Sequence, residues 1–123
     1  MKLINDLFEV LSSEQCDNIY RCQVKFNPDH RIYKAHFPGY PVTPGVCLMQ
    51  MGEEILEQKY QKQLQLSLVK SIRFKKIIGP EETPTFDFTK EVLKENELSV
   101  EISIYDEAGE SVKMSLLYNV LDE

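Results

Sequence analysis

The chain has 123 residues, the length of one ordinary domain, which can bury a core without disulfides or metal ions. Its formal net charge of -6 argues against general nucleic-acid binding, because that function needs a basic surface. With 42% hydrophobic and 28% charged residues, the composition is that of a globular protein, and we expect a single domain over residues 1–123.

The sequence predicts a cytoplasmic protein that does not associate with membranes. Three cysteines without a paired framework, Cys16, Cys22 and Cys47, are typical of a reducing compartment. The opening MKLINDLFEV is too short and too polar for a signal peptide. No apolar run approaches the roughly 18–20 residues of a membrane span.

The first third of the chain predicts two strands and an irregular stretch. Residues 7–11 indicate a short strand or the end of a short helix, and residues 12–14 are turn-like. Residues 17–26 alternate with a period of two, which is typical of a half-buried strand. The residues of its apolar face are Tyr20, Cys22, Val24 and Phe26. Residues 31–43 are rich in proline and predict no regular element.

A helix is predicted from Pro44 to about Gln61. Apolar residues recur at helical spacing on one face, opposite a polar side rich in glutamate. The buried face is expected to hold Leu48, Met51, Ile55 and Leu56. Gly52 inside this helix costs about 1 kcal/mol relative to alanine, so we expect something to pack closely against it.

The rest of the chain predicts four strands. They cover residues 66–78, 83–93, 97–106 and 109–121, with hairpin turns near residues 95–96 and 107–109. Two strands, a helix and four strands predict an α+β fold in which an antiparallel sheet wraps around one central helix.

The segment HFPGYPVTPGV, residues 36–46, places a histidine close to a helix start. His36 can act as a base near neutral pH. The first N–H groups of a helix lack internal acceptors, and Gly45 has no side chain to keep a ligand carbonyl away. A base beside a polarised carbonyl is the minimum arrangement for removing a proton α to a thioester. The alternative is that His36 is structural or simply exposed.

This segment closely resembles the H-F-P-G-x-P-V-x-P-G-V signature of the FabZ/FabA-type β-hydroxyacyl-acyl carrier protein dehydratases. The order of elements resembles the hotdog fold of that family. The resemblance implies that His36 removes the C2 proton of a 3-hydroxyacyl thioester and that the Gly45 N–H polarises the carbonyl. It also implies a hydro-lyase without cofactor or metal, a trans-2-enoyl product, and a substrate site that includes Phe37, Pro38, Gly39 and Val46.

One position departs from the family pattern. Where the family has Glu or Asp on the helix, this chain has Gln50, which cannot serve as an ordinary proton donor. Glu54 lies on the same helix face, four residues or about 6 Å further along. We hypothesise that Glu54 supplies the acid while Gln50 holds the substrate hydroxyl or a water. The alternative is that Glu54 is an ordinary exposed helix glutamate.

The resemblance also implies partners. They are an acyl carrier protein with its 4'-phosphopantetheine thioester, and a second copy of the chain in a homodimer or higher oligomer. A basic cluster, chiefly Arg73, Lys75 and Lys76, could dock the acidic carrier, although such residues are also ordinary solvated strand positions. Fatty-acid or polyketide-like synthesis is the implied setting.

Two other functions stay open. A hotdog thioesterase would direct water to the same carbonyl, and a non-catalytic subunit of a heteromeric dehydratase would keep only the fold and the binding site. Of the remaining residues, His30 is expected to face solvent. Five aromatic residues could line an acyl tunnel, although most of them are expected in the core: Tyr33, Phe37, Phe74, Phe86 and Phe88.

Overall fold

The computed structural model describes residues 2–35, 39 and 41–121, and this part of the chain forms six strands and two helices. In chain order the elements are β1 Phe8–Cys16, β2 Ile19–Phe26, α1 Ile32–Ala35, α2 Gly45–Tyr60, β3 Gln63–Phe74, β4 Thr85–Lys94, β5 Glu97–Asp106 and β6 Gly109–Leu121.

The strands form one sheet in the order β1-β2-β4-β5-β6-β3, and every neighbouring pair is antiparallel. Strands β1 and β3 are therefore its edges. The predicted α+β architecture, with one antiparallel sheet and one long helix, is confirmed. None of the helices in the described ranges is long and apolar enough to cross a membrane.

Helix α2 lies against the middle of the sheet. The four residues predicted for its buried face are all 2% exposed or less. A Cβ added at Gly52 would lie 2.8 Å from the Cδ1 atom of Ile102 on β5 and 3.6 Å from the hydroxyl of Tyr118 on β6. The close approach predicted from this glycine is confirmed, and it fixes the height of the helix above the sheet.

Both edge strands differ from their predicted bounds. Strand β1 continues through Ser12 to Cys16, because these polar residues pair with β2 beyond a bulge after Val10. Strand β3 starts earlier and ends at Phe74, because the N–H groups of Lys75 and Lys76 both bond to the carbonyl of Ser111, at 2.8 and 3.2 Å.

The stretch expected to be irregular contains the single-turn helix α1, and His30 before it is buried. The expectation that His30 faces solvent is wrong. Its Nδ1 accepts the N–H of Ile32 at 3.1 Å, and its Nε2 lies 3.2 Å from Asp6 Oδ2. A neutral ring that accepts at Nδ1 donates at Nε2, so this imidazole satisfies both partners inside the fold.

Candidate functional site

Helix α2 begins without a side-chain cap. Its N-cap residue is Pro44, with φ -61° and ψ 145°, and no side chain bonds to the cap. The N–H groups of Cys47 and Leu48 reach the Pro44 carbonyl at 3.0 and 3.2 Å. The N–H groups of Gly45 and Val46, at the very start of the helix, have no acceptor within it. The helix dipole adds partial positive charge here, so this end can polarise a carbonyl.

Phe74, at the end of β3, lies directly against Gly45. A Cβ at Gly45 would be 2.6 Å from the Cζ atom of the Phe74 ring. Phe74 is 55% exposed, so it is one of the aromatic residues that lie outside the core. The absence of a side chain at residue 45 therefore lets an aromatic ring cover the backbone at the helix start.

A cavity of about 220 Å³ opens beside this ring. Its walls are mostly apolar and include Gly45 itself, and Lys76 adds a cation. The other lining residues are Val42, Thr43, Pro44, Leu48, Phe74, Ile77, Ile78 and Val112. An apolar chain attached to a polar group at the helix start would fit this combination.

Three of the predicted site residues, His36, Phe37 and Pro38, lie outside the described residues. Gly39 is exposed and has a φ of +86°, a conformation that favours glycine. Val46 is 68% exposed beside the helix start. The role of His36 as a base remains a prediction.

Helix α1 is joined to the residue before α2 by a buried hydrogen bond. The hydroxyls of Tyr33, in α1, and Thr43, just before α2, are 2.9 Å apart. Both residues are buried, and burial raises the pKa of Tyr33 to about 12. Thr43 also donates its N–H to the carbonyl of Ile78 at 2.8 Å. These contacts, which the sequence did not predict, hold the residues just before α2 in place.

Gln50 and Glu54 are in direct contact. The Nε2 atom of Gln50 donates to Oε2 of Glu54 at 2.9 Å, so the contact expected from the i, i+4 spacing is confirmed without a bridging water. A carboxylate can only accept, so the NH₂ group of the amide faces Glu54. Glu54 is 1% exposed, which rules out an ordinary solvated glutamate at this position.

Glu54 has further partners that the sequence analysis did not find. The N–H of Leu3 lies 3.0 and 2.8 Å from its two oxygens, and the N–H of Ile4 lies 2.7 Å from Oε1. These contacts join positions about fifty residues apart, and backbone donors carry no signal in a sequence. The neighbouring Glu53 accepts the N–H of Leu66 at 3.1 Å, and burial raises its pKa.

The basic cluster lies around Phe74 and thus beside the helix start. Lys75 pairs with Glu110 at 2.7 Å, and Lys76 pairs with Asp106 at 3.2 Å. Arg73 is exposed and forms no ion pair with a described residue. Cys47, in the first turn of α2, is buried, and burial raises the pKa of its thiol. The described residues contain no group of three or more His, Cys, Asp or Glu side chains that could hold a metal ion.

Two curated relatives carry the name 3-hydroxyacyl-[acyl-carrier-protein] dehydratase FabZ. The protein from Lactobacillus helveticus is 24% identical over 131 aligned positions, covering 95% of this chain and 88% of the relative. The protein from Syntrophomonas wolfei is 31% identical over 85 positions, covering 63% of this chain and 56% of the relative.

Solved structures agree on the hotdog fold. The ApeI:P dehydratase heterocomplex from Xenorhabdus doucetiae has a TM-score of 0.71 at 16% identity, covering 89% of this chain and 96% of the other. The thioesterase HI1161 from Haemophilus influenzae has a TM-score of 0.65 at 16% identity, covering 96% and 81%. At this identity the likeness shows the fold alone.

The model of the ApeI-like dehydratases matches residues 12–114, which is most of the sheet and the whole of α2. The chain therefore belongs to the ApeI-like dehydratase family of hotdog proteins.

Proposed function

We propose that this protein is a hydro-lyase that removes water from 3-hydroxyacyl thioesters and releases trans-2-enoyl thioesters. The observation that carries the proposal is the start of α2. Pro44 provides no cap, Gly45 presents its backbone without a side chain, and an apolar cavity of about 220 Å³ adjoins it. A thioester carbonyl bound at this N–H would have its developing negative charge stabilised during proton removal.

In this proposal His36 removes the proton from C2, and the electrons of that C–H bond form the new double bond. The C3–O bond breaks, and the hydroxyl leaves as water after it receives the proton that His36 took from C2. Gly45 holds the carbonyl oxygen, and Gln50, whose amide donates to Glu54, faces the hydroxyl. The residues proposed to contact the rest of the acyl thioester are Phe37, Pro38, Gly39 and Val46.

The proposed substrate carrier is an acidic acyl carrier protein with a 4'-phosphopantetheine arm. The proposed docking surface is the basic cluster of Arg73, Lys75 and Lys76 around Phe74. Arg73 supports this most directly, because Lys75 and Lys76 are already paired with Glu110 and Asp106. A local patch of opposite charge steers a partner mainly by raising its association rate. A setting in fatty-acid or related acyl synthesis follows from such a substrate.

A second candidate function is that of a subunit that needs an acid from a different chain. The amide of Gln50 cannot donate a proton as an acid does. The oxygens of Glu54 already accept from Gln50, Leu3 and Ile4. A heteromeric dehydratase would supply the missing carboxylate from a second hotdog chain.

The proposed site is tested by the absorbance of the enoyl thioester formed from a 3-hydroxyacyl carrier protein. We expect His36→Ala to abolish its formation. Gly45→Ala keeps the N–H but adds a Cβ only 2.6 Å from the Phe74 ring, so we expect it to disturb the carbonyl site and lower the rate. The matched control is Gly79→Ala, because a Cβ there would meet no atom closer than 3.7 Å. Equal rates for the wild type and Gly45→Ala would contradict the proposed carbonyl site. If product forms only after a second hotdog chain is added, the second candidate function is correct.

A further inference from the structure

The N-terminal residues 2–8, named here the N-terminal clasp, are fixed against α2. Leu3 and Leu7 are 2% and 0% exposed, and the Leu3 carbonyl accepts the N–H groups of Asp6 and Leu7 at 3.0 and 2.7 Å. Lys2 reaches Glu57 on α2 at 3.1 Å. The clasp is therefore a compact turn with its own apolar anchors.

Glu54 is the polar attachment point of the clasp on the helix. Its carboxylate receives the N–H groups of two successive clasp residues, Leu3 and Ile4, at distances between 2.7 and 3.0 Å. Because Glu54 is 1% exposed, water does not compete for these bonds. Hydrogen bonds to a charged acceptor are about twice as strong as those between neutral groups.

The same carboxylate also determines the orientation of Gln50. It receives the Gln50 Nε2 at 2.9 Å, so the clasp amides and the Gln50 side chain all act as donors to it. A protonated carboxyl group would give up acceptor capacity and place an O–H beside these donors. The hydrogen-bond set therefore fits Glu54 as an acceptor and not as a group that hands over a proton.

We infer that Glu54 is a positioning residue that joins the N-terminal clasp to α2 and fixes the amide of Gln50 with its NH₂ group toward the clasp. This inference rests on the proposed function for its catalytic meaning. It replaces the hypothesis that Glu54 supplies the acid. The proton that leaves with the hydroxyl is then the one that His36 took from C2, and the N-terminal residues set the geometry of Gln50 at the proposed site.

Amide NMR of the ¹⁵N-labelled protein tests the inference without any substrate. In Glu54→Gln we expect hydrogen exchange at the Leu3 and Ile4 amides to accelerate at least about tenfold, the equivalent of one charged hydrogen bond lost. The side-chain amide signals of Gln50 should shift. The matched control is Glu81→Gln, which makes the same change at an exposed position outside the clasp and outside α2. It should leave the hydrogen exchange of the Leu3 and Ile4 amides and the side-chain amide signals of Gln50 unchanged.

Unchanged signals in Glu54→Gln would overturn the inference, whether or not the wild type turns over substrate. If Glu54→Gln fails to fold, Glu54→Asp serves instead, because its shorter side chain retreats from the clasp donors. With an active wild type, the dependence of kcat on pH adds a second readout. A positioning role predicts a lower kcat with an unchanged profile, whereas a catalytic acid predicts the loss of one limb. A failure of the proposed function would leave the NMR result standing on its own.

Discussion

At the scale of single residues, the adjacent glutamates Glu53 and Glu54 differ in burial and in hydrogen-bond partners, and so have different roles. Glu54 is almost completely buried and accepts donors from the clasp and from Gln50. Glu53 is only partly buried and accepts the N–H of Leu66, and burial is the largest cause of its raised pKa. An acid with a raised pKa is penalised when it ionises in the folded protein.

The substitution Glu53→Gln tests this penalty. The folded protein binds the proton of Glu53 more tightly than the unfolded chain, so the contribution of Glu53 to stability falls as the pH rises above 4.5 through the folded pKa. The amide introduced by the substitution keeps an acceptor for the N–H of Leu66 and does not titrate. We therefore expect the free energy of unfolding of the variant to rise relative to that of the wild type as the pH increases above 4.5. Urea unfolding at several pH values measures it, and a constant difference would contradict the account.

At the scale of elements, α2 is the part of the chain on which the core and the candidate site both depend. Its apolar face packs on the centre of the sheet, and its first turn provides the proposed carbonyl site. Its positions could be predicted from the sequence because helical spacing is a local signal. The length of β1 could not, because Ser12 and its polar neighbours pair at an exposed edge where the period of two is not imposed by burial.

Leu56→Ala should be strongly destabilising. Leu56 is 0% exposed in the core, so its truncation should cost about 2–5 kcal/mol in lost burial and cavity formation. The control Gln58→Ala removes an exposed side chain of the same helix and should stay within about 0.5 kcal/mol of the wild type. Denaturant unfolding measures both. Similar losses for the two variants would mean that α2 does not anchor the core as described.

At the scale of the whole molecule, β3 is an edge strand whose outward N–H groups are bonded to side chains near its beginning. Glu57 and Glu53 accept the N–H groups of Leu64 and Leu66 from the outer side, at 2.9 and 3.1 Å. Beyond them Leu68 is 51% exposed. An open edge strand with exposed apolar side chains is a surface for pairing with another chain. We therefore propose that the homodimer or higher oligomer implied by the family resemblance forms with a second copy along the later part of β3.

The proposed dimer predicts that Leu68→Glu lowers the molar mass measured by light scattering after gel filtration. The control is Leu93→Glu, because Leu93 is 42% exposed but lies on β4, which β5 and β6 separate from β3. A charge at the paired edge costs more than one on a free surface, so only Leu68→Glu should dissociate the dimer. Equal masses for both variants would place the interface elsewhere or show a monomer.

The candidate site as a whole could be predicted only in part. The helix start at Gly45 and the pairing of Gln50 with Glu54 follow from motif and helix spacing, whereas the role of His36 stays a prediction. The clasp contacts of Glu54, and the burial of His30 against Asp6, join residues far apart in the chain, and no local pattern encodes them. The contact of the Phe74 ring with Gly45 could not be predicted either, because this ring covers a backbone and not a hydrophobic core.

The most direct test of the central claim is a mass spectrum of a 3-hydroxyacyl carrier protein after incubation with this protein, alongside the His36→Ala variant. The account predicts that the acyl group loses one water and stays attached to the carrier, and that His36→Ala prevents the loss. Release of the whole acyl group would show a thioesterase and contradict the proposed dehydration. An unchanged acyl group, with the protein folded and the carrier bound, would also contradict the proposal that this chain catalyses the dehydration by itself.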